Sequence, residues 1–283
     1  MTNTLQIGAR TAARNAVRES IADVQWQRND TFTRELSTEL QQHAFVQHPL
    51  IAAMNAGEGS LEWLRGFYLD TVHAVSGRFI DYVLQAVLNC AQIEDRIGRR
   101  GVTAARFLLQ INVIDELGFE PGASVEGFIG NPGKAHVLQL YDVLEQLGIS
   151  EAMVRAHRAS SAAIHMANVL ETNRNDHLRL ATVLAAYEST LSPWSDCWAT
   201  ATRALSTVDT GRGYHAIHVE DHDGHVVDDD HSEDSWHIVR QALTLERTEE
   251  VRHLALHLMD TCQSYVDYQF RLLRTQSRSP VYA

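Results

Sequence analysis

Three separated stretches of this chain carry carboxylates and imidazoles in a pattern that suits a redox metal. They are Glu116 followed by His136, then Glu188, then the run His218-Val-Glu-Asp-His222-Asp-Gly-His225-Val-Val-Asp228-Asp-Asp-His231. Carboxylate and imidazole ligands projecting from facing helices are how a helical bundle holds a pair of iron or manganese ions. Acid density points the same way: Glu220, Asp221, Asp223, Asp228, Asp229, Asp230, Glu233 and Asp234 crowd beside the histidines. Such crowding calls for a cation.

The elements that must position these residues are helical. The five prolines leave 50–120, 133–192 and 194–279 free of proline, which permits long helices. Leu61, Leu64, Phe67, Tyr68 and Val72 recur at helical spacing, as do Val137, Leu140, Val143, Leu144 and Leu147 and the late stripe Leu254, Leu258, Cys262, Val266, Phe270 and Leu273. Ser60 and Ser150 are N-cap candidates, and Gly148 is a C′ candidate. Tyr214 to Val219 is the one short strand candidate. Two irregular regions, the Gly/Pro-rich 117–133 and the polar 206–230, lie next to candidate ligands, as gating loops often do. The expected fold is all-α, a bundle of about seven helices in a single domain. Residues 1–55 form an N-terminal helical extension in this reading and 56–275 the metal-binding bundle. The Arg-rich start is mildly transit-peptide-like, but a frayed or helical arm explains it more simply.

Composition narrows the function classes. The formal net charge of -12 argues against nucleic acid or an anionic membrane as partner. Three dispersed cysteines, Cys90, Cys197 and Cys262, fit a reducing cytoplasm and no zinc ribbon or disulfide framework. No apolar run reaches transmembrane length. GxSxG, HExxH, P-loop and GxGxxG signatures are absent. His165 with Met166 could touch a haem, although a packed core histidine is the simpler reading, and the same holds for His73.

Position within each helix weighs the candidates. Glu116 falls at i+4 from Asn112 and i+3 from Val113, continuing a face made by Ala105, Leu108 and Leu109. A buried carboxylate there needs a cation or hydrogen bonds, although a last-turn acid can also simply face water. Asp115 is expected to point away into solvent. His136 opens a helix one turn ahead of Leu140. Glu188 is embedded between Leu184 and Leu191, which is unusual for an unpaired acid. In the third stretch the register stays open. His218, His222 and His225 span roughly a 60° arc on a helix, whereas His225, Asp228 and His231 span roughly 120°. His218 with Asp228 and His231 across a looped-out insertion is a third arrangement, and a solvated metal-scavenging loop a fourth.

With NVIDELG, GKAHVLQLYDVLEQLGI, AAYESTLSPW and YHAIHVEDHDGHVVDDDHSEDSW in this order, roughly residues 60–270 resemble the haem-oxygenase-like non-haem diiron oxidases and oxygenases. The resemblance implies that Glu116, His136 and Glu188 are ligands, and that Asp228 and His231 close the family's H-x3-D-x2-H. Its first histidine falls on Gly224, so His225 or His218 must supply it, or else the triad is His218, His222 and His225. Phe119 to Gly133 reads as an insertion over the site. An extra acid known in some members would be Asp81. The family further implies two iron ions, O2 as co-substrate, a small-molecule substrate and an external electron donor, with a homodimer left open. The substrate expected is an amine or an amino-acid-derived metabolite of specialised biosynthesis, with Arg106, Arg78 or Lys134 as candidate carboxylate anchors. Two other readings stand beside this one. One is a cofactorless oxidase of the same bundle, as pyrroloquinoline-quinone synthase is. The other is a non-catalytic metal-binding helical protein.

Overall fold

The computed structural model describes residues 8–120, 129–218 and 227–276. Among these the chain forms fourteen α-helices and one minimal two-stranded ladder. The number exceeds the expected seven because short helices such as α3 (Pro49–Asn55), α8 (Glu151–Ala156) and α12 (Tyr214–His218) join the longer ones. Those longer ones are α2 (Asp23–Gln41), α4 (Leu61–Thr71), α5 (Phe79–Asn89), α6 (Glu94–Glu116), α9 (Ser161–Asn173), α10 (His177–Glu188), α11 (Ser192–Leu205), α13 (Val227–Ala242) and α14 (Thr248–Gln276).

Local chemistry sets the boundaries. Ser60 Oγ accepts from Trp63 N at 3.1 Å, and Ser150 Oγ from Met153 N at 3.3 Å, so both serines cap as expected. Gly148 ends α7 (His136–Gln146) with φ 76°. Inside α6, Gly98 at φ 71° breaks the helix, and the straight part that follows carries the site. Helix α4 runs into a π-helical turn, Val72–Ser76. Such turns gather at functional sites, and nothing in the spacing of side chains announced this one.

The most enclosed helix is α10, where Leu180, Ala181, Thr182, Val183, Leu184, Ala185 and Ala186 are all buried. It packs chiefly against α13 and α14. Around it lies one continuous apolar core that also takes in Val17, Leu36, Leu40 and Leu50 of the N-terminal helices. The expected frayed or helical arm is a docked helix, α1 (Ala9–Glu19), with Ala13 and Val17 buried and Arg10 and Arg14 paired to Asp234 of α13 at 3.4 and 2.7 Å.

Some expectations are corrected. Tyr214–Val219 is not a strand, since Tyr214 to His218 form α12, where Tyr214 and His215 pack edge-on against Trp198 of α11. Aromatic packing overrides the strand-like pattern there. His165 and His73 are exposed, not core. Phe119–Glu120 pairs antiparallel with Ile129–Gly130, and 121–128 lie outside the described residues. Among the described residues no helix is long and apolar enough to cross a membrane.

Candidate metal centre

Three carboxylates meet where helices end. Asp115 and Glu116 are the last residues of α6, and Glu188 is the last of α10. A helix C-terminus already carries partial negative charge. Neither last turn offers a basic side chain. The acids therefore call for donors or cations from elements other than their own helices.

Glu116 is 8% exposed, on the same buried face as Ala105, Leu108, Leu109, Asn112 and Val113. Its Oε1 lies 3.2 Å from His136 Nδ1. His136 is the first residue of α7, brought there by Gly118. With φ 77°, Gly118 turns the chain out of α6, and a Cβ on it would stand 2.5 Å from the Lys134 carbonyl carbon. Only glycine allows this approach of the end of α6 to the start of α7. Burial alone would raise the Glu116 carboxyl. The contact with His136 and the nearby imidazoles of His218 and His231 outweigh that and hold it below the usual carboxylate range.

Glu188, 4% exposed, accepts from Asn112 Nδ2 and from Ser235 Oγ, each at 3.2 Å. Ser235 lies one turn after His231 on α13, so one face of that helix presents both toward α10. His231 is 1% exposed, and its Nε2 lies 3.4 Å from Asp115 Oδ2; His136 Nε2 lies 3.7 Å from the same oxygen. Asp115, expected in solvent, thus faces the site. Helix periodicity misplaces it because the last turn of α6 is where the chain leaves helical geometry.

His218 ends α12, with its ring 5.2 Å from that of His136 and 4.8 Å from Tyr214. A buried network holds that helix: Tyr68 Oη lies 2.6 Å from His215 Nε2 and 2.8 Å from Thr202 Oγ1. Burial above all, with His218 and Arg203 nearby, pushes His215 down to about 3, so it is a neutral partner. Neither Tyr68 nor His215 was singled out from sequence. The only hint was His215 in the Tyr-His-Ala-Ile-His motif.

His222 and His225 lie outside the described residues. Asp228 falls in the first turn of α13, with its side chain outside the described ones. Among the described residues no three His, Cys, Asp or Glu side chains are already gathered as a closed metal-holding group. Asp81 is exposed and lies 3.7 Å from Arg78, away from the cluster.

Glu116, His136, Glu188 and His218 share the wall of one cavity of about 130 Å3. The rest of its wall is largely apolar and aromatic, including Phe67, Val75, Phe79, Met166, Trp198 and Val266. The donor set fits iron: carboxylate oxygens together with imidazole nitrogens, at the end of a largely apolar pocket. Asp115 Oδ2 and Asn112 Oδ1 are buried without a hydrogen-bond partner among the described residues. Buried polar atoms of this kind ask for an ion or water.

A family of iron-containing redox enzymes matches residues 67–265, and the chain belongs to it. Its fold is the haem-oxygenase-like helical bundle. Two crystal structures of a CADD-like protein of unknown function from Nostoc punctiforme superpose with TM-scores of 0.60 and 0.59 at 16% and 14% identity. They cover 88% and 90% of this chain and 98% and 99% of the other. A TenA homologue from Pseudomonas syringae pv. tomato gives 0.59 at 14% identity, over 87% of this chain and 93% of its own. At these identities the likeness concerns the fold alone. No curated protein matches the sequence.

Proposed function

We propose that the protein is an O2-dependent non-haem diiron oxidase or oxygenase of a small metabolite, amine or amino-acid-derived, in specialised biosynthesis. The carrying observation is the meeting of Glu116, His136, Glu188 and His218 on one wall of an otherwise apolar cavity, with His231 and Asp115 beside them. In this reading Glu116, His136, Glu188 and His231 hold the iron, joined by Asp228 and by His218 or His225. Iron held there would supply O2-dependent oxidation of the substrate, as N-oxygenation, desaturation or C–C cleavage, with electrons from an external donor.

The chain's own residues prepare that site. Asn112 and Ser235 fix both oxygens of Glu188, which orients a ligand before metal arrives. Asp115 sits within reach of two imidazoles, where it would orient them or join them in holding the iron. Tyr68 and Thr202 hold α12 and so place His218. Apolar side chains exclude water from the pocket.

The test is anaerobic loading with Fe(II), iron counted per chain, then O2 uptake with candidate amines and amino acids. Two irons per chain, lost in Glu116→Ala and Glu188→Ala, with substrate-dependent O2 uptake, is the expected result. Iron retained by both variants would refute the assignment.

A further inference from the structure

Part of the cavity wall comes from the N-terminal helices. Phe45 lies in the turn 42–48 between α2 and α3, is 4% exposed, and lines the same cavity as Glu116, His136, Glu188 and His218. It is the one described lining residue that comes from ahead of residues 67–265, the span matched by the iron-containing redox enzymes. Side chains tie its turn to the bundle. Phe45 N donates to His43 Nδ1 at 3.2 Å, so His43 carries its proton on Nε2, 3.3 Å from Asp260 Oδ1 of α14. Leu50 N donates to His48 Nδ1 at 3.1 Å, and His48 Nε2 stands 3.1 Å from Asp267 Oδ1, two turns further along α14. Gln41 Nε2 donates to the carbonyl of Ser189, the residue after Glu188. The Phe45 ring stacks on Trp194, also of the lining, with centroids 4.9 Å apart and planes at 18°.

The ring is thus held in place, yet it shares no helix with a candidate ligand. A change at Phe45 alters the room left for a bound molecule without changing the length or register of α6, α7, α10 or α12. Residues of turns set on a rigid frame are where binding selectivity is commonly adjusted. The wall is apolar and aromatic at this point, so it meets the apolar body of a ligand, whatever group faces the metal residues. Resting on the proposed function above, we infer that Phe45 is a specificity-determining residue: its ring limits the length of the apolar body that the cavity admits.

The test uses iron-loaded protein held without O2, so that binding is read without turnover. Calorimetry follows two homologous series, n-alkylamines and n-alkanoates from butyl to dodecyl, which separates the length limit from the head group. In at least one series affinity should climb about fourfold per buried methylene and stop climbing at a limiting length. Phe45→Ala should carry the climb about two or three methylenes further, into the room left by the ring, and Phe45→Trp should end it sooner. Phe45→Leu keeps the turn apolar; it should move the limit outward by a smaller step, and it decides the matter if Phe45→Ala does not fold. Iron per chain should equal that of the wild type in each folded variant. A limit that stays where it is in the folded variants overturns the inference, as does a wild type whose affinity is independent of length. Iron counted on the same samples separates the two ideas. Two irons per chain with an unmoved limit defeats the role of Phe45 alone. A limit that moves in protein that takes up no iron defeats the diiron reading alone.

Discussion

Replacing Glu188 by Gln separates its role as a ligand from its role in packing. Asn112 Nδ2 donates to one carboxylate oxygen and Ser235 Oγ to the other, each at 3.2 Å. Glutamine keeps the shape and one acceptor, and turns the other terminal atom into a donor. The structure can receive that donor. The Ser235 hydroxyl can rotate to accept, and Asn112 can present Oδ1, which has no partner among the described residues. One hydrogen bond is exchanged for another, and a buried charge is removed. With each bond worth about 1 kcal/mol net, the metal-free stability should change by no more than about 1 kcal/mol. For a chain of this size that is about 2–4 °C in thermal midpoint. Metal linkage is larger: Fe(II) at a hundred times its Kd stabilises the native state by about 2.7 kcal/mol, or about 5–11 °C on the same scale. Anaerobic thermal melts with and without Fe(II), with iron counted per chain, measure both. The wild type should show the full rise, and Glu188→Gln should show less than half of it with one iron or fewer. An undiminished rise with two irons would refute the ligand role. A metal-free variant melting more than about 10 °C below wild type would show that the carboxylate is structural.

Further outcomes follow from the same geometry. Asp115→Asn removes the charge facing His136 and His231, and should weaken iron binding about 10- to 100-fold, read by competition with a coloured chelator, while the circular dichroism spectrum is unchanged. Gly118→Ala puts a Cβ 2.5 Å from backbone at Lys134; it should displace the start of α7 and lower iron content and thermal midpoint together. Tyr68→Phe leaves His215 and Thr202 buried without their shared hydroxyl, and should cost about 1–3 kcal/mol in urea unfolding. Burial holds His177 down to about 4, against 6.5 when exposed. Below about pH 6.5 the unfolded chain therefore takes up a proton that the folded chain refuses. Stability is full above that pH and falls by up to about 1.4 kcal/mol per unit as pH drops toward 4. His177→Leu should flatten the urea midpoint between pH 7 and 5, and an unchanged slope would exclude His177 as its source.

What the sequence discloses depends on the range of the interaction that decides it. The buried face of α6 through Asn112 and Val113 to Glu116 follows from helical period alone. So do the caps at Ser60 and Ser150 and the opening of α7 by His136. Glu188 was legible because an acid set in an apolar stripe is conspicuous. Asp115 was misread because a wheel drawn for a continuing helix fails at a terminus, where two elements meet and both faces of the last turn find partners. The strand-like Tyr214–His218 was misread because its helical form is fixed by Trp198 and Tyr68, 16 and more residues away in sequence. The π-turn at Val72–Ser76 leaves no trace in the apolar pattern, since it changes backbone pairing and not side-chain type.

The placement of the acids explains why a bundle suits this chemistry. Two helix ends and three carboxylates at one point cannot be a stabilising device by themselves, because the dipoles and side chains share one sign. The enclosed α10 and its apolar neighbours supply the stability that such a site consumes. Asn112, Ser235 and the Tyr68–His215 pair then fix ligand positions from outside the cluster. A cation entering such a site meets oriented donors, so its binding should register as a gain in fold stability. Loss of one carboxylate without loss of shape should abolish that gain while leaving the bundle standing. This is why the thermal response of Glu188→Gln to Fe(II) discriminates more sharply than an activity assay, which any disturbance of the pocket would also lower.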